Sequence, residues 1–283
     1  MAEATLPERR RNKRIFFGAA VIALLIVVAV AAPLLAPQDP LEQDILNNFA
    51  PPFWSANAVP GFFLGTDGLG RDILSRLIYG ARVALTVALV AATLAAAVGT
   101  LLGLVAGYYG GLLDAVVSRP VDVWMSFPPV LLSVVLAAVV GAGLEAVILA
   151  IVFVDWTRFC RVVRAEVLVQ REQDYITAAA SIGLSRGRVL WVEILPNLVP
   201  TLLVLLTLEM GIAVIVEAIL SFVGLSVASD APTWGGLIQE GRLNVNQAWW
   251  LMALPMLCII VTVLGFNALG DGLRERLDPV LRR

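Results

Sequence analysis

Long apolar runs separated by short polar breaks set the rhythm of this chain. The first extends from Ile15 to about Leu35, directly after Arg9, Arg10, Arg11, Lys13 and Arg14. A helix rising about 1.5 Å per residue over such a run crosses a hydrocarbon core about 30 Å thick. Further runs at about Val83–Ala106, 123–143, 145–160, 198–223 and Trp249–Leu269 predict five more spans. The pattern predicts an all-α integral membrane protein with six transmembrane helices. It divides into a tail (1–14), a first span (15–36), a mixed Pro/Gly-rich segment outside the membrane (37–82), a transmembrane core (83–270) and a second tail (271–283). The basic start and Ala29-Val30-Ala31 also have the form of a signal peptide. The apolar run exceeds the roughly 7–15 residues of such a peptide, so an uncleaved span is expected. Gly99, Gly103 and Gly107 recur at four-residue spacing in the second span, which predicts a face that a neighbouring helix approaches closely. A loop with Asp230, Pro232 and Trp234 leads to the sixth span, and Trp234, Trp249 and Trp250 read as interfacial anchors.

One polar stretch interrupts this pattern. Asp174 to Asn197, DYITAAASIGLSRGRVLWVEILPN, is helix-forming without being oily. Ala178, Ala179 and Ala180 favour helix, Gly183 supplies a left-handed stop, and Ser185 can cap a second helix that ends near Pro196. The prediction is a helix-turn-helix on the membrane surface. A basic surface helix can lie on anionic lipid, but Glu172, Asp174 and Glu193 sit among its arginines, and the alanine-glycine face suits close docking on a partner.

Composition agrees. Of 283 residues, 59% are hydrophobic and 15% charged, far from the balance of a soluble domain. The net charge of -2 offers no basic stripe for nucleic acid. Sixteen of the 20 cations fall on the side that six spans give to both termini and to the island; only Arg71, Arg76, Arg82 and Arg242 fall opposite. The positive-inside rule puts the termini and the island in the cytoplasm. Histidine is absent, which excludes His-dependent triads and His-ligated metal or haem, and Cys160 and Cys258 form no C-x-x-C.

Two motifs are decoys. Gly65 to Gly70 has phosphate-loop glycine spacing but no Lys-Ser/Thr, and Lys13 is the only lysine in the chain. Gly183-Leu184-Ser185-Arg186-Gly187 fits a nucleophile elbow but lies between helices, with no histidine to activate the serine. The intramembrane carboxylates carry more weight. Asp155 lies near the end of the fourth span, and Glu209 and Glu217 lie in the fifth, about 80° apart around the helix. Each needs a cavity, a partner helix or a water path. Two readings stand: Glu209 and Glu217 line a translocation path or permease interface, or they are polar glue.

The island resembles the EAA loop of binding-protein-dependent ABC importer permeases. The matching positions are Thr177-Ala178-Ala179, Gly183, Glu193 and Leu195-Pro196, with Thr177 in place of the usual Glu and Glu193 in place of Ile or His. The blocks LGTDGLGRDILSRLIYGARVAL, GYYGGLLDAVVSRPVDVWMSFP, REQDYITAAASIG, ILPN, VEAILSFVGL, PTWGGLIQEGR and FNALGDGLRERLDP resemble the "C" permease subunit of the peptide/nickel branch. Phe62 or Phe63 stands where that branch usually has His. The resemblance implies a type I ABC importer permease in a bacterial or archaeal inner membrane. Its implied partners are a second permease, two ATPase subunits that bind ATP and magnesium, and an extracytoplasmic substrate-binding protein. The island at 161–197, with Asp174, Tyr175, Thr177, Ala178, Ala179, Gly183, Leu195 and Pro196, would couple to an ATPase. The substrate would be a di- or oligopeptide, with a nickel or other metal chelate as the alternative. A different class also stays open, a secondary transporter with Asp155, Glu209 or Glu217 as proton carriers.

Overall fold

A computed structural model describes residues 8–226 and 231–277; Asp230, Arg282 and Arg283 lie outside the described residues. Among the described residues eleven α-helices follow one another: α1 (Glu8–Val30), α2 (Ala32–Leu35), α3 (Ile73–Tyr109), α4 (Gly111–Met125), α5 (Pro129–Val140), α6 (Leu144–Gln170), α7 (Asp174–Ser181), α8 (Arg186–Arg188), α9 (Leu195–Phe222), α10 (Trp234–Leu243) and α11 (Trp250–Leu277). A short 3₁₀ turn occupies Ile45–Asn47 and a π-helical segment Val189–Ile194.

The second predicted span is α3, and it starts ten residues early. Asp72 caps it by accepting from the backbone N–H of Ser75 at 2.7 Å, so residues 73–82 are helix rather than loop. Gly110, at φ +65°, ends it. The third predicted span is not one helix. Residues 111–125 and 129–140 form α4 and α5, bent by 96° at Ser126-Phe127-Pro128. Proline disfavours helix in the residue before it, which places the break there. At 12 residues α5 is about 18 Å long, too short to cross a bilayer alone. The fourth predicted span is the first part of α6, which continues ten residues past Cys160 and carries Arg158, Arg161 and Arg164. Among the described residues, four stretches are long and apolar enough to span by themselves, 13–30, 73–109, 186–222 and 250–277, and the bent pair taken as one span makes a fifth.

Glycine governs how these helices meet. A Cβ on Gly103 would lie 2.7 Å from the Cys160 carbonyl and 2.9 Å from Val163 Cβ, and one on Gly107 would lie 2.8 Å from Val167 Cβ. Gly99 faces the Trp156 carbonyl and Phe159 in the same way. The four-residue stripe is the seam along which α3 lies on α6. Gly18, Gly265 and Gly272 likewise hold α1 on α11. Around the seam, Ala84, Ala88 and Ala91 of α3, Ile151 of α6, Val214 and Leu220 of α9 and Leu251 of α11 form the main core.

The tryptophans depart from expectation. Trp249 is exposed, but Trp234 is 1% exposed, donates from Nε1 to the Leu77 carbonyl at 3.0 Å and lies against Gly80. Trp250 is buried too. Trp234 therefore locks α10 onto α3 instead of sitting at a lipid interface, because Gly80 leaves a slot for its ring.

Gly99→Val drives a branched side chain into the α6 backbone. The expected cost is about 1–3 kcal/mol, read as a lower thermal midpoint of the solubilised protein. Gly187→Val, where a Cβ meets nothing within 4 Å, should leave the midpoint unmoved.

Candidate functional site

The polar island is a helical hairpin braced on the ends of the spans. In α7, Ile176 and Ala179 point inward onto Leu104 of α3, Val163 and Val167 of α6, and Leu190, Ile194 and Leu198. Gly183 turns the chain at φ +87°, and Ser185 Oγ accepts from the Arg188 N–H at 3.4 Å. Two features differ from the sequence reading. Ala179, expected on a docking face, is 8% exposed and packs into its own subunit. The second helix does not stop at Pro196 either. The chain passes from α8 through the π-helical turn into α9 without a break, and Leu195 N–H bonds back to the Leu190 carbonyl. A register shift of this kind puts Pro196 in the first turn of a new α-helix, where a missing N–H costs nothing.

The outward surface of the hairpin is made by Asp174, Tyr175, Thr177, Ala178, Ile182 and Gly183, with Ile182 78% exposed at the tip. Leu195 is half-buried and Pro196 exposed. Tyr175 ties the hairpin down: its hydroxyl donates to Gln170 Oε1 and accepts from Asn197 Nδ2 at 3.3 Å, joining α7 to α6 and α9. Arg171 Nη1 donates to the Gly107 carbonyl at 3.0 Å, covering the end of α3. Arg164 holds Asp114 of α4 at 2.7 Å, and Arg161 holds Asp122 at 2.6 Å. The exposed apolar tip therefore stands on a base fixed to α3, α4, α6 and α9.

The intramembrane carboxylates separate. Glu209 is buried and accepts from Arg158 Nη1 at 3.2 Å and 3.1 Å, joining α9 to α6. Asp155, also buried, lies one turn before Arg158 on α6. Glu217 is fully enclosed and accepts from Ser221 Oγ at 2.5 Å and Ser226 Oγ at 3.2 Å. Both serines serve Oε1, and Oε2 has no hydrogen-bond partner among the described residues.

A second polar centre went unnoticed in the sequence. Beyond the start of α3, the GTDGLGRD segment folds around Asp67, which accepts from the N–H groups of Leu69 (2.8 Å) and Arg71 (3.0 Å), from Arg71 Nε (2.7 Å) and from Arg76. Glu240 of α10 completes it, accepting from the Gly68 N–H and Arg76 Nη1, each at 3.1 Å. The glycine-rich loop that looked like a failed phosphate loop is thus an ionic clasp between the 37–72 segment and α10. Two arginines and an aspartate within ten residues were the visible signal, but Glu240 lies 164 residues beyond Arg76.

A family model of binding-protein-dependent transport system inner membrane components matches residues 99–283. A second, the N-terminal TM domain of oligopeptide transport permease C, matches residues 10–52. The chain is 38% identical over 273 residues to the di/tripeptide transport system permease protein DppC of Pseudomonas aeruginosa, covering 96% of this chain and 89% of that protein. It is 39% identical to the dipeptide transport system permease protein DppC of Escherichia coli K12, covering 97% and 91%. Against the glutathione transport system permease protein GsiD of Shigella dysenteriae it is 40% identical, over 78% and 73%. Among solved structures, an inward-facing form of the MetNI methionine ABC transporter shares the fold at a TM-score of 0.60 and 20% identity, over 72% of this chain and 96% of that one.

Tyr175→Phe removes both hydroxyl bonds and should loosen the hairpin by about 1 kcal/mol, roughly a fivefold faster amide exchange over 174–181. Arg76→Ala leaves Asp67 short of a charged partner inside the protein and should cost about 3–5 kcal/mol, seen as a large drop in thermal midpoint.

Proposed function

The chain belongs to the family of binding-protein-dependent transport system inner membrane components, and on that premise we propose that it is the permease subunit of an ATP-driven importer of di- or short oligopeptides. In this reading it spans the inner membrane with both termini and the 174–197 hairpin in the cytoplasm. It pairs with a second permease, receives substrate from an extracytoplasmic binding protein and is driven by two separate ATPase chains that bind ATP and magnesium. The bias of cations toward the hairpin side supports that orientation. The peptide assignment rests on the relatives named for di- and tripeptide transport.

The observation that carries the proposal is the continuity of the hairpin with a span. Residues 186–222 form one rod from the exposed hairpin through the apolar core, and α7 is clamped to the base of that rod by Tyr175 and Ile176. A partner that pushes on Ala178 and Ile182 therefore moves α9 with them. Closure of an ATPase dimer around ATP would supply the free energy, because only differential binding to two states can shift the equilibrium between them. The permease would then rock as a rigid body between inward- and outward-open states. Glu209 is bonded to Arg158 across two helices, a bracing role that for this carboxylate supports an ATP-driven over a proton-coupled mechanism.

Ala178 and Ala179 test the docking surface because they are adjacent but face opposite ways. Ala178→Trp should preserve folding and ATP hydrolysis while uptake falls roughly 5–150-fold, the range of a coupling energy of about 1–3 kcal/mol. Ala179→Trp should instead overpack the hairpin base and lower the thermal midpoint. Full uptake by the Ala178→Trp protein, in a normally assembled complex, would sink the docking assignment.

A further inference from the structure

Arg158 makes less of its guanidinium than its position demands. It sits halfway along α6, opposite Glu209 halfway along α9. Nη1 alone serves both oxygens of Glu209, at 3.2 Å and 3.1 Å, while Nε and Nη2 donate to no described residue. The Arg158 side chain is 30% exposed, whereas that of Glu209 is 4% exposed and Asp155 is likewise buried. The two carboxyl groups are thus far more enclosed than the arginine, whose side chain carries the exposed surface of this cluster. An arginine can donate five hydrogen bonds, and acyl chains accept none. Reaching for the headgroups would require an extended side chain, but Glu209 holds this one in place. The open edge must therefore face water, a partner or a ligand.

We propose that this edge of Arg158 faces the aqueous translocation path and receives the terminal carboxylate of a zwitterionic peptide in transit. The proposal rests on the peptide-importer reading above and adds a site to it. A guanidinium edge with two free nitrogens matches a carboxylate in a bidentate, in-plane geometry, which an ammonium does not. The neighbouring carboxyl groups set the strength of the contact. Alone in a low-dielectric wall, an arginine would trap any anion; with Glu209 bound to Nη1 and Asp155 one turn away, its attraction is largely offset. A simple anion is then poorly held, while a zwitterion sets its carboxylate on Arg158 and its ammonium in the field of the two carboxyl groups. Contact firm enough to enter and weak enough to leave is what a path requires. The alternative is that Arg158 and Glu209 only brace α6 against α9.

The test uses the complete transporter, with its partner permease, ATPases and binding protein, in proteoliposomes. Uptake of dialanine and of its C-terminal amide is compared for wild type, Arg158→Lys and Arg158→Gln, each substrate normalised to wild type so that selection by the binding protein divides out. Arg158→Gln should cut dialanine uptake roughly tenfold or more and amide uptake far less, with Arg158→Lys between. Equal losses for the two substrates would reduce the pair to a brace and overturn the proposal. The second measurement needs no transport. In a Cys160→Ala, Cys258→Ala background, Arg158→Cys should react with a charged, water-soluble thiol reagent in the nucleotide-free or the ATP-bound complex. Failure to react in both states would show that position 158 does not face the path. If the wild-type complex moves neither substrate, the peptide reading fails by itself, and the reactivity of the introduced thiol still decides whether position 158 faces an aqueous path.

Discussion

Close approach of two backbones in an apolar medium is the constraint on which this molecule depends. Water does not drive helices together inside a bilayer, so packing and hydrogen bonds must hold them. Gly99, Gly103 and Gly107 let α3 settle directly on the backbone of α6 from Trp156 to Val167. That seam fixes α6, and α6 in turn positions Asp155, Arg158, Arg161 and Arg164 along one helix, the arginines at three-residue steps. Each arginine then finds an acid on another helix: Glu209 of α9, Asp122 and Asp114 of α4. The polar contacts work because the glycine seam has already placed their owners.

The two ends of the molecule are built differently. At the hairpin end a small apolar cluster, a tyrosine clasp and a π-helical turn make a stiff handle with Ile182 exposed at its tip. At the opposite end the connection is ionic. Asp67, Arg71, Arg76 and Glu240 bind the long 37–72 segment to α10, and Trp234 plugs α10 into the Gly80 slot on α3. Both ends lead into α3 and α9, so a displacement of the handle has a short mechanical route to the far clasp. Contiguity makes such transmission possible; coupling between the ends is a matter of energetics.

Much was legible in the chain itself. Apolar runs of span length, the cation bias, the glycine stripe, the Gly183 turn and the Ser185 cap are local signals, each set by a residue's own chemistry or by neighbours within one or two turns. The EAA-like block and its flanking motifs gave the family for the same reason, since docking uses a contiguous stretch. Even so, local reasoning failed where two local rules competed. It ended a helix at Pro196, yet the π-helical turn delivers that proline to a first-turn position; it drew one span over 123–143, yet Pro128 breaks it.

Tertiary structure alone decided which side of each element is inside. Ala178 and Ala179 are the same residue with the same propensity, and only the presence of Leu104, Val167 and Leu190 beneath α7 makes one a surface and the other a core position. Trp234 reads as an interfacial ring until Gly80 is placed opposite it. Glu209 and Glu217 look equivalent along one helix, but one meets an arginine from α6 and the other is sealed by serines of its own segment. Glu240 gives no sign of its role until the fold brings it across 164 residues to Arg76. Sequence determines what each residue is able to do at short range. Partners distant along the chain depend on how the helices cross, and that geometry exists only once all of them are packed.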